Sequence, residues 1–313
     1  MMTSEEPTVP AEFSGPALSM PALSMPAWVD REAYPFTSKW FDLPDGRMHY
    51  IDEGEGDILL FAHGNPSWSF EYRHLIRHFS STHRCIALDY LGFGLSDKPP
   101  HLSYLPQFHS ANLGRFIEGL DLKNITLVFQ DWGGPIALSY AVANPSRVSR
   151  IIASNSWFFD VREYPAVRRF SHIIGSAFGR MLCKHLNLFP RVLLKASFGD
   201  SSRLGPEVHA QYLAPFPTAA ERKGTWVFPR AIVGESSWLA EIWARRHTLK
   251  DRPTLLIWGM KDPGCTPLLP RWTEVFTDHR LITLDDVGHN VAEEAGRHLI
   301  GPIASFLSDR SPS

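Results

Sequence analysis

The sequence has few cysteines, no excess of basic residues and no long apolar run, and each shortage excludes a class of protein. Cys85, Cys183 and Cys265 stand apart, without CxxC or metal-ligand spacing, which excludes a disulfide scaffold and is typical of a cytoplasmic protein. A formal net charge of -2 offers no basic field to nucleic acid or to acidic lipid headgroups, so we expect neither as a partner. The apolar runs are only as long as strands, and we expect no membrane span.

The N-terminal residues differ from the rest of the chain. They carry the pentapeptide PALSM twice in tandem, from Pro16 to Met25, and acids where a secretory signal has basic residues. A proline at every fifth residue forbids a regular helix, and the segment has little apolar surface to bury. We therefore expect residues 1–30 to form a flexible extension.

From about Phe36 onward, short apolar runs alternate with amphipathic helical patterns. The runs are MHYIDEG, ILLFAHG, CIALDY, ITLVFQD, IIASNSW, TLLIWGM and LITLDDV. This alternation predicts an α/β fold with a mostly parallel sheet and helices on both of its faces. Because ligands bind beyond the carboxyl ends of the strands in such sheets, the residues that follow each run are the candidates for a site.

One interval, from Trp157 to about Ala240, breaks the alternation. It contains helical segments such as FSHIIGSAFGRMLCKHL but no comparable strand, and it is too long for a structureless loop. Its many Phe, Leu and Trp residues argue against a linker. We expect residues 157–240 to form a helical cap over the active edge of the sheet, and residues 31–156 and 241–313 to form the core.

Three strand ends carry a carboxylate, a second carboxylate and a histidine in chain order. Asp131 follows ITLVFQ, Asp262 follows LLIWGMK and His289 follows LITLDDVG. The α/β-hydrolases have this order of nucleophile, acid and histidine. Taken singly, the three residues also suit a helix cap, an Asp-Pro turn and a core histidine, but their register along the chain favours a triad.

The stretch VFQDWGGPIAL suits a nucleophile at Asp131. A turn from strand to helix exposes one side chain above the sheet, two glycines leave room for the turn, and the helix directs its free N–H groups at the site. Phe129 departs from the usual elbow, which has glycine at that position.

A carboxylate nucleophile restricts the chemistry to a saturated carbon, because attack on an acyl carbon gives a labile anhydride whereas displacement gives an ester that water can hydrolyse. His289, neutral near physiological pH, would take a proton from that water, and Asp262 would hold its tautomer. A departing halide needs N–H donors in a dry pocket, and Trp132 and Asn65 are the candidates for both halide binding and the oxyanion hole. Neither half-reaction requires a metal or an organic cofactor.

With these motifs the chain resembles the haloalkane dehalogenases, which are α/β-hydrolases with an eight-stranded sheet and an inserted helical cap. The resemblance extends from Tyr34 to Leu307 and includes YPFTSKWF, HGNPSWSFEYR, DYLGFGLSDKP, QDWGGPIAL and LLIWGMKDP. It implies a small apolar halogenated substrate and a halide product, with a homo-oligomer left open. DYLGFGLS, which contains Asp89, Gly92, Gly94 and Ser96, is interpreted as a structural loop.

Carried over residue by residue, the resemblance implies that Asp131 is the nucleophile, that His289 is the base and that Asn65 and Trp132 hold the halide. Some members of the family place a glutamate after the strand that reads IIASN here. This chain has Asn155 at that position, so the resemblance assigns the acid to Asp262, as in the third dehalogenase subfamily. Asp160 is the fallback acid.

Aromatic residues at the start of the cap are candidates for lining the pocket: Trp157, Phe158 and Phe159, with core packing as the alternative for each. An epoxide hydrolase would share the triad and use Tyr164 and Tyr212 as proton donors, although the asparagine of HGNP favours a halide. A luciferase-like oxygenase and a binding protein that kept the fold without turnover are further alternatives.

Overall fold

The computed structural model describes residues 25–309, which are built around one eight-stranded sheet. The strands are β1 (Lys39–Leu43), β2 (Gly46–Glu53), β3 (Ile58–Ala62), β4 (Arg84–Leu88), β5 (Ile125–Asp131), β6 (Val148–Ser156), β7 (Thr254–Gly259) and β8 (His279–Leu284). Their order in the sheet is β1-β2-β4-β3-β5-β6-β7-β8. The pairs β1/β2 and β2/β4 are antiparallel and all others are parallel, which confirms the predicted fold class.

Helices connect most of the parallel strands. They are α1 (Arg73–Phe79), α2 (Pro106–Gly119), α3 (Gly133–Ala143), α4 (Pro165–Ile174), α5 (Ala177–Leu186), α6 (Leu194–Ala196), α7 (Pro206–Leu213), α8 (Lys223–Gly234), α9 (Ser236–Ala244), α10 (Leu269–Val275), α11 (Val291–Ala295) and α12 (Ile300–Ser308). No helix among residues 25–309 is both long enough and apolar enough to cross a membrane.

The sheet is buried on both faces. Alternate residues of β3 belong to different apolar clusters: Leu60 and Ala62 pack on one side, and Leu59 and Phe61 on the other. Because successive side chains of a strand point to opposite faces, a strand covered on both sides must be apolar at nearly every position. This is why the parallel strands read as continuous apolar runs in the sequence.

Helices α4 to α9 lie between β6 and β7, in the region where the sequence predicts a cap. Most of the predicted N-terminal extension, residues 1–24, lies outside the described residues. Residues 25–30 lie against the body of the protein, where the Trp28 ring meets the Trp68 ring edge-on at 5.6 Å. The side-chain amide of Gln211 on α7 donates to Trp28 O and accepts from the Asp30 N–H.

Candidate active site

Asp131 occupies a sharp elbow between β5 and α3. Its backbone φ of +51° is unusual for a residue other than glycine, and α3 begins two residues later. A Cβ atom added at Gly64 would lie 2.5 Å from Asp131 Cβ, and one added at Gly133 would lie 2.1 Å from Ala62 O. The elbow therefore requires glycine at both positions, since the turn at Asp131 and the loop after β3 are in close contact.

His289 lies between two carboxylates. Its Nδ1 is 2.7 Å from Asp262 Oδ2, and its Nε2 is 3.2 Å from Asp131 Oδ2. The three side chains come from the ends of β5, β7 and β8, so the parallel sheet brings together residues that are far apart in the chain. This arrangement has the geometry of a nucleophile, a histidine and a supporting acid.

The two carboxylates set the protonation of His289. Burial alone would lower the pKa of the imidazole, but the charge of Asp262 and the hydrogen bonds to Asp131 and Asp262 outweigh it and raise the pKa well above its usual value. The sequence led us to expect a neutral ring. The structure instead raises the pKa of the ring, because two carboxylates contact it, and the sequence pattern does not show that both do so.

Asp262 is held as a carboxylate by its surroundings. Burial raises its pKa, yet His289 and hydrogen bonds from Asn155 and the loop backbone lower the pKa below the usual value. The amide of Asn155 donates to Oδ2 at 3.0 Å, and the Gly264 and Cys265 N–H groups donate to Oδ1 at 2.8 and 3.2 Å. Asn155 is thus a hydrogen-bond donor to the acid, a role that the sequence did not indicate.

Asn155 is itself fixed in place. Its Oδ1 accepts the Gly259 N–H at 2.7 Å, and its φ is +31° at the end of β6. Cys265 Sγ lies 3.9 Å from His289 Nδ1, so Asp262, Cys265 and His289 bring three ligand-type atoms within 4.8 Å of one another. The hydrogen bond between the His289 imidazole and the Asp262 carboxylate, at 2.7 Å, already explains why these atoms lie close together.

Gln130, next to Asp131 on β5, connects the segment from His289 to Ala292 to the sheet by hydrogen bonds. Its amide donates to His289 O at 2.7 Å and accepts the Ala292 N–H at 3.3 Å. On the other side, Ser156 Oγ donates to Asp131 O at 2.6 Å. These bonds fix the backbone at Asp131 and at His289.

Asn65 and Trp132, the two candidates for halide binding, lie beside Asp131. The Asn65 N–H donates to Asp131 Oδ1 at 2.9 Å, and its side-chain amide donates to Thr225 O of α8 at 3.2 Å. Trp132 is buried, stacks on Phe228 at 4.9 Å and meets Trp157 edge-on at 5.0 Å. Both residues line the same cavity as Asp131.

The cavity has a volume of about 510 Å³ and reaches from Asp131 and His289 to α4 and α8. Asp131, Asp262 and His289 lie at its sheet end, and most of the remaining lining is apolar, including Phe189 and Ile232. Such a pocket suits a small apolar ligand that presents one reactive group to the carboxylate.

Of the three aromatic residues proposed for the pocket, Trp157 lines the cavity. Phe158 and Phe159 do not belong to the lining and pack in the core instead, with Phe158 4.8 Å from the Trp272 ring and Phe159 5.1 Å from the Trp243 ring. After the strand ends at Ser156, side chains no longer alternate regularly between two faces, and the sequence pattern alone could not separate these three.

The side chains proposed for the alternative assignments lie away from the reacting atoms. Tyr212 is buried and donates to Glu293 Oε2 at 2.6 Å, and neither it nor Tyr164 lines the cavity. Asp160 binds the Arg162 guanidinium at 2.6 Å. Asp89, in the loop that we interpret as structural, pairs with His49 at 2.9 Å, and both side chains are fully buried.

Glu71 was not identified from the sequence. It is 3% exposed, its Oε1 has no hydrogen-bond partner, and burial raises its pKa to about 8. That value already includes a lowering by a hydrogen bond from Ser67 and a raising by the charges of Glu293 and Asp131. The signal in the sequence was an acid within the aromatic run WSFEY, where a buried side chain is expected.

Comparison with known proteins places this geometry among relatives. Residues 57–295 match the family described as alpha/beta hydrolase fold. The chain is 40% identical to Haloalkane dehalogenase 2 of Mycobacterium tuberculosis over 85% of its length and 93% of the relative. It is 31% identical to a Cis-3-alkyl-4-alkyloxetan-2-one decarboxylase of Shewanella oneidensis over 88% of this chain and 89% of the relative. The crystal structure of the haloalkane dehalogenase DatA from Agrobacterium tumefaciens is similar, with a TM-score of 0.76 and 26% identity over 87% of this chain and 96% of that one.

Proposed function

We propose that this chain, which belongs to the haloalkane dehalogenase family of α/β-hydrolases, hydrolyses haloalkanes through a covalent ester on Asp131. The observation that carries the proposal is the position of His289, between the Asp131 and Asp262 carboxylates in the lining of a largely apolar cavity. An apolar pocket with a carboxylate nucleophile and no serine at the elbow favours substitution at a saturated carbon.

In the first step, Asp131 displaces the halide. Oδ1 is held by the Asn65 N–H, which leaves Oδ2, on the His289 side, as the attacking oxygen. A bond forms from Oδ2 to carbon while the carbon–halogen bond breaks, and the electron pair leaves with the halide. The indole N–H of Trp132 and the side-chain amide of Asn65 would hold the anion in a site of low polarity.

Formation of the ester prepares His289 for the second step. Esterification removes the charge of Asp131, which is one of the two carboxylates that raise the pKa of the imidazole. The pKa then falls, and the ring can lose its Nε2 proton and act as a base. Alkylation would thus convert the resting imidazolium into the neutral base required for hydrolysis.

In the second step, His289 removes a proton from water while the water oxygen attacks Asp131 Cγ. The charge that develops on Oδ1 meets the Asn65 N–H, already 2.9 Å away, and the backbone N–H of Trp132 at the start of α3 is the second donor. Collapse of the intermediate breaks the bond between Asp131 Cγ and Oδ2, and the alkoxide takes the proton from His289 and leaves as alcohol with Oδ2. The second proton of the water, left on the new Asp131 carboxyl, passes to His289 and restores the resting pair. Asp262 stabilises the imidazolium in between.

A panel assay tests the overall reaction. Purified protein is offered brominated and chlorinated alkanes, with an aryl epoxide beside them, and free halide is measured for the native protein and Asp131→Ala. We expect halide release that Asp131→Ala abolishes. Epoxide opening without halide release would contradict the proposal, and so would undiminished release by the variant.

A trapping experiment tests the covalent step. His289→Phe removes the base but leaves the nucleophile, so we expect one halide per protein and an alkyl adduct on the peptide that contains Asp131. Mass spectrometry of the digested protein measures the adduct, and Asp131→Ala with His289→Phe is the control. An unmodified peptide after halide release would rule out the ester.

A second candidate is cleavage of oxetan-2-ones, for which two relatives are named. Two features support it: the relationship extends over at least 88% of this chain, and a cavity of about 510 Å³ has room for two alkyl chains. In a four-membered lactone, the ring carbon that bears oxygen is saturated, so the same carboxylate can attack it and break the ring carbon–oxygen bond. The carboxylate freed in this way then leaves as carbon dioxide, its electron pair forms an alkene, and the bond between the substrate carbon and Asp131 breaks. Assay of a cis-dialkyl oxetanone for released carbon dioxide, next to the halide panel, discriminates the two activities.

A further inference from the structure

The charge of the chain is unevenly distributed. Residues 165–199, which include α4, α5 and α6, contain six Lys and Arg residues and no Asp or Glu. The whole chain has a formal net charge of -2, so the remainder is distinctly acidic. From the small net charge of the whole chain we expected no attraction to acidic lipids. That net value does not show that residues 165–199 are basic.

The same segment carries most of the exposed apolar side chains. Eight large apolar residues are exposed among residues 25–309, and six of them lie between positions 170 and 192. They are Phe170, Ile173, Phe178, Met181, Leu186 and Val192, which we call the apolar cap face. Phe178, the most exposed at 66%, and Met181 lie one turn apart on α5. A concentration of this kind marks a contact surface rather than scattered surface residues.

Helices α4 and α5, which carry most of this face, pack against α8 on their other side. Ser171 Oγ on α4 donates to Pro229 O of α8 at 2.7 Å, and Cys183 on α5 is fully buried. The Arg180 guanidinium lies over the Trp226 ring of α8 at 5.5 Å. One side of α4 and α5 is therefore buried against α8, and the side chains of the apolar cap face are exposed on the other side.

The apolar cap face adjoins the mouth of the active-site cavity. Phe170 and Ile173 belong to the exposed set and also line the cavity, together with Arg169 and Leu193 of the same segment. Whatever covers this face therefore also covers a path to Asp131.

We propose that the apolar cap face docks on an anionic lipid bilayer, with its apolar side chains in the boundary between headgroups and acyl chains. Lys184, Arg191 and the other basic residues of the segment would contact lipid phosphates. The charge pattern favours this occupant over a second copy of the chain, because two such faces would oppose like charges with no acid from residues 165–199 between them. The helices lie on the membrane in this arrangement and do not cross it.

Docking gives apolar substrates a direct route into the cavity from the bilayer, a consequence that rests on the proposed dehalogenase function. The docking itself does not depend on that function. It is tested without any substrate, so that failure of the docking and failure of the catalytic proposal give different results.

The test measures binding of the full-length protein to sedimented vesicles of phosphatidylcholine alone and of phosphatidylcholine with an equal part of phosphatidylglycerol. We expect at least tenfold tighter binding to the anionic vesicles and a loss of that advantage at high salt. Phe178→Ser should weaken the binding about tenfold, and Lys184→Glu about thirtyfold.

Two matched controls separate the face from general effects. Leu281→Ser alters an apolar residue that is 42% exposed on β8, and Lys250→Glu makes the same charge change outside the segment. Both should bind like the native protein. Absence of vesicle binding, or equal losses in the controls, would overturn the proposal. It would also be overturned if Phe178→Ser converted an oligomer into a monomer in vesicle-free sedimentation, since the face would then join copies of the chain.

Discussion

Replacement of Asp262 by asparagine should stop the reaction after the first step. Asp262 Oδ2 is 2.7 Å from the His289 ring, and the aspartate is 6% exposed, so the pair is well desolvated. Loss of one partner from such a pair costs about 3–5 kcal/mol. If about 4 kcal/mol of this is lost from the hydrolytic transition state, hydrolysis slows about a thousandfold. Displacement of the halide needs no base and should be little affected.

Rapid-quench measurement of free halide resolves the two steps, because halide leaves in the first. Asp262→Asn should show a burst of one halide per active site followed by very slow turnover. Asp160→Asn is the matched control, since that carboxylate binds Arg162 and not the histidine, and it should turn over like the native protein. Steady turnover by Asp262→Asn within tenfold of the native rate would refute the assignment of the acid.

Two further changes test the halide site and a buried acid. Asn65→Ala should raise the bromide dissociation constant about tenfold or more, because a hydrogen bond to an anion is lost. Quenching of tryptophan fluorescence by bromide measures this constant. An unchanged quenching curve would remove Asn65 from the halide site. Glu71→Gln should gain stability over the native protein as pH rises. The pKa of Glu71 is raised to about 8 in the folded state, so the native chain is most stable below the unfolded pKa and loses stability as pH rises toward 8. Between pH 5.5 and 7.5 the advantage of the glutamine variant should grow by about 2–3 kcal/mol in urea unfolding, and an equal difference at both pH values would contradict the pKa shift.

The position of Asp131, Asp262 and His289 at one edge of the sheet was predictable, because each residue is marked locally in the sequence. An acid between an apolar strand and two glycines, as at Asp131, indicates an elbow whatever the rest of the chain does. Asp262 and His289 also follow apolar strands, and parallel strands bring their carboxyl ends to one edge. The contacts of Asn155 could not be predicted in this way, because they depend on how the ends of β6, β7 and β8 are staggered in space.

The sequence by itself determined the parallel sheet, the order of the residues at its active edge and the presence of a helical insertion, since these follow from apolar periodicity and from local turn chemistry. Only the tertiary structure decided which side chains enter the cavity, that the resting histidine has two carboxylate neighbours, and that Glu71 is buried without a partner for one oxygen. It also decided that the apolar cap face points outward. Periodicity shows that a helix has an apolar side, but the packing of α4 and α5 on α8 fixes which side is left at the surface.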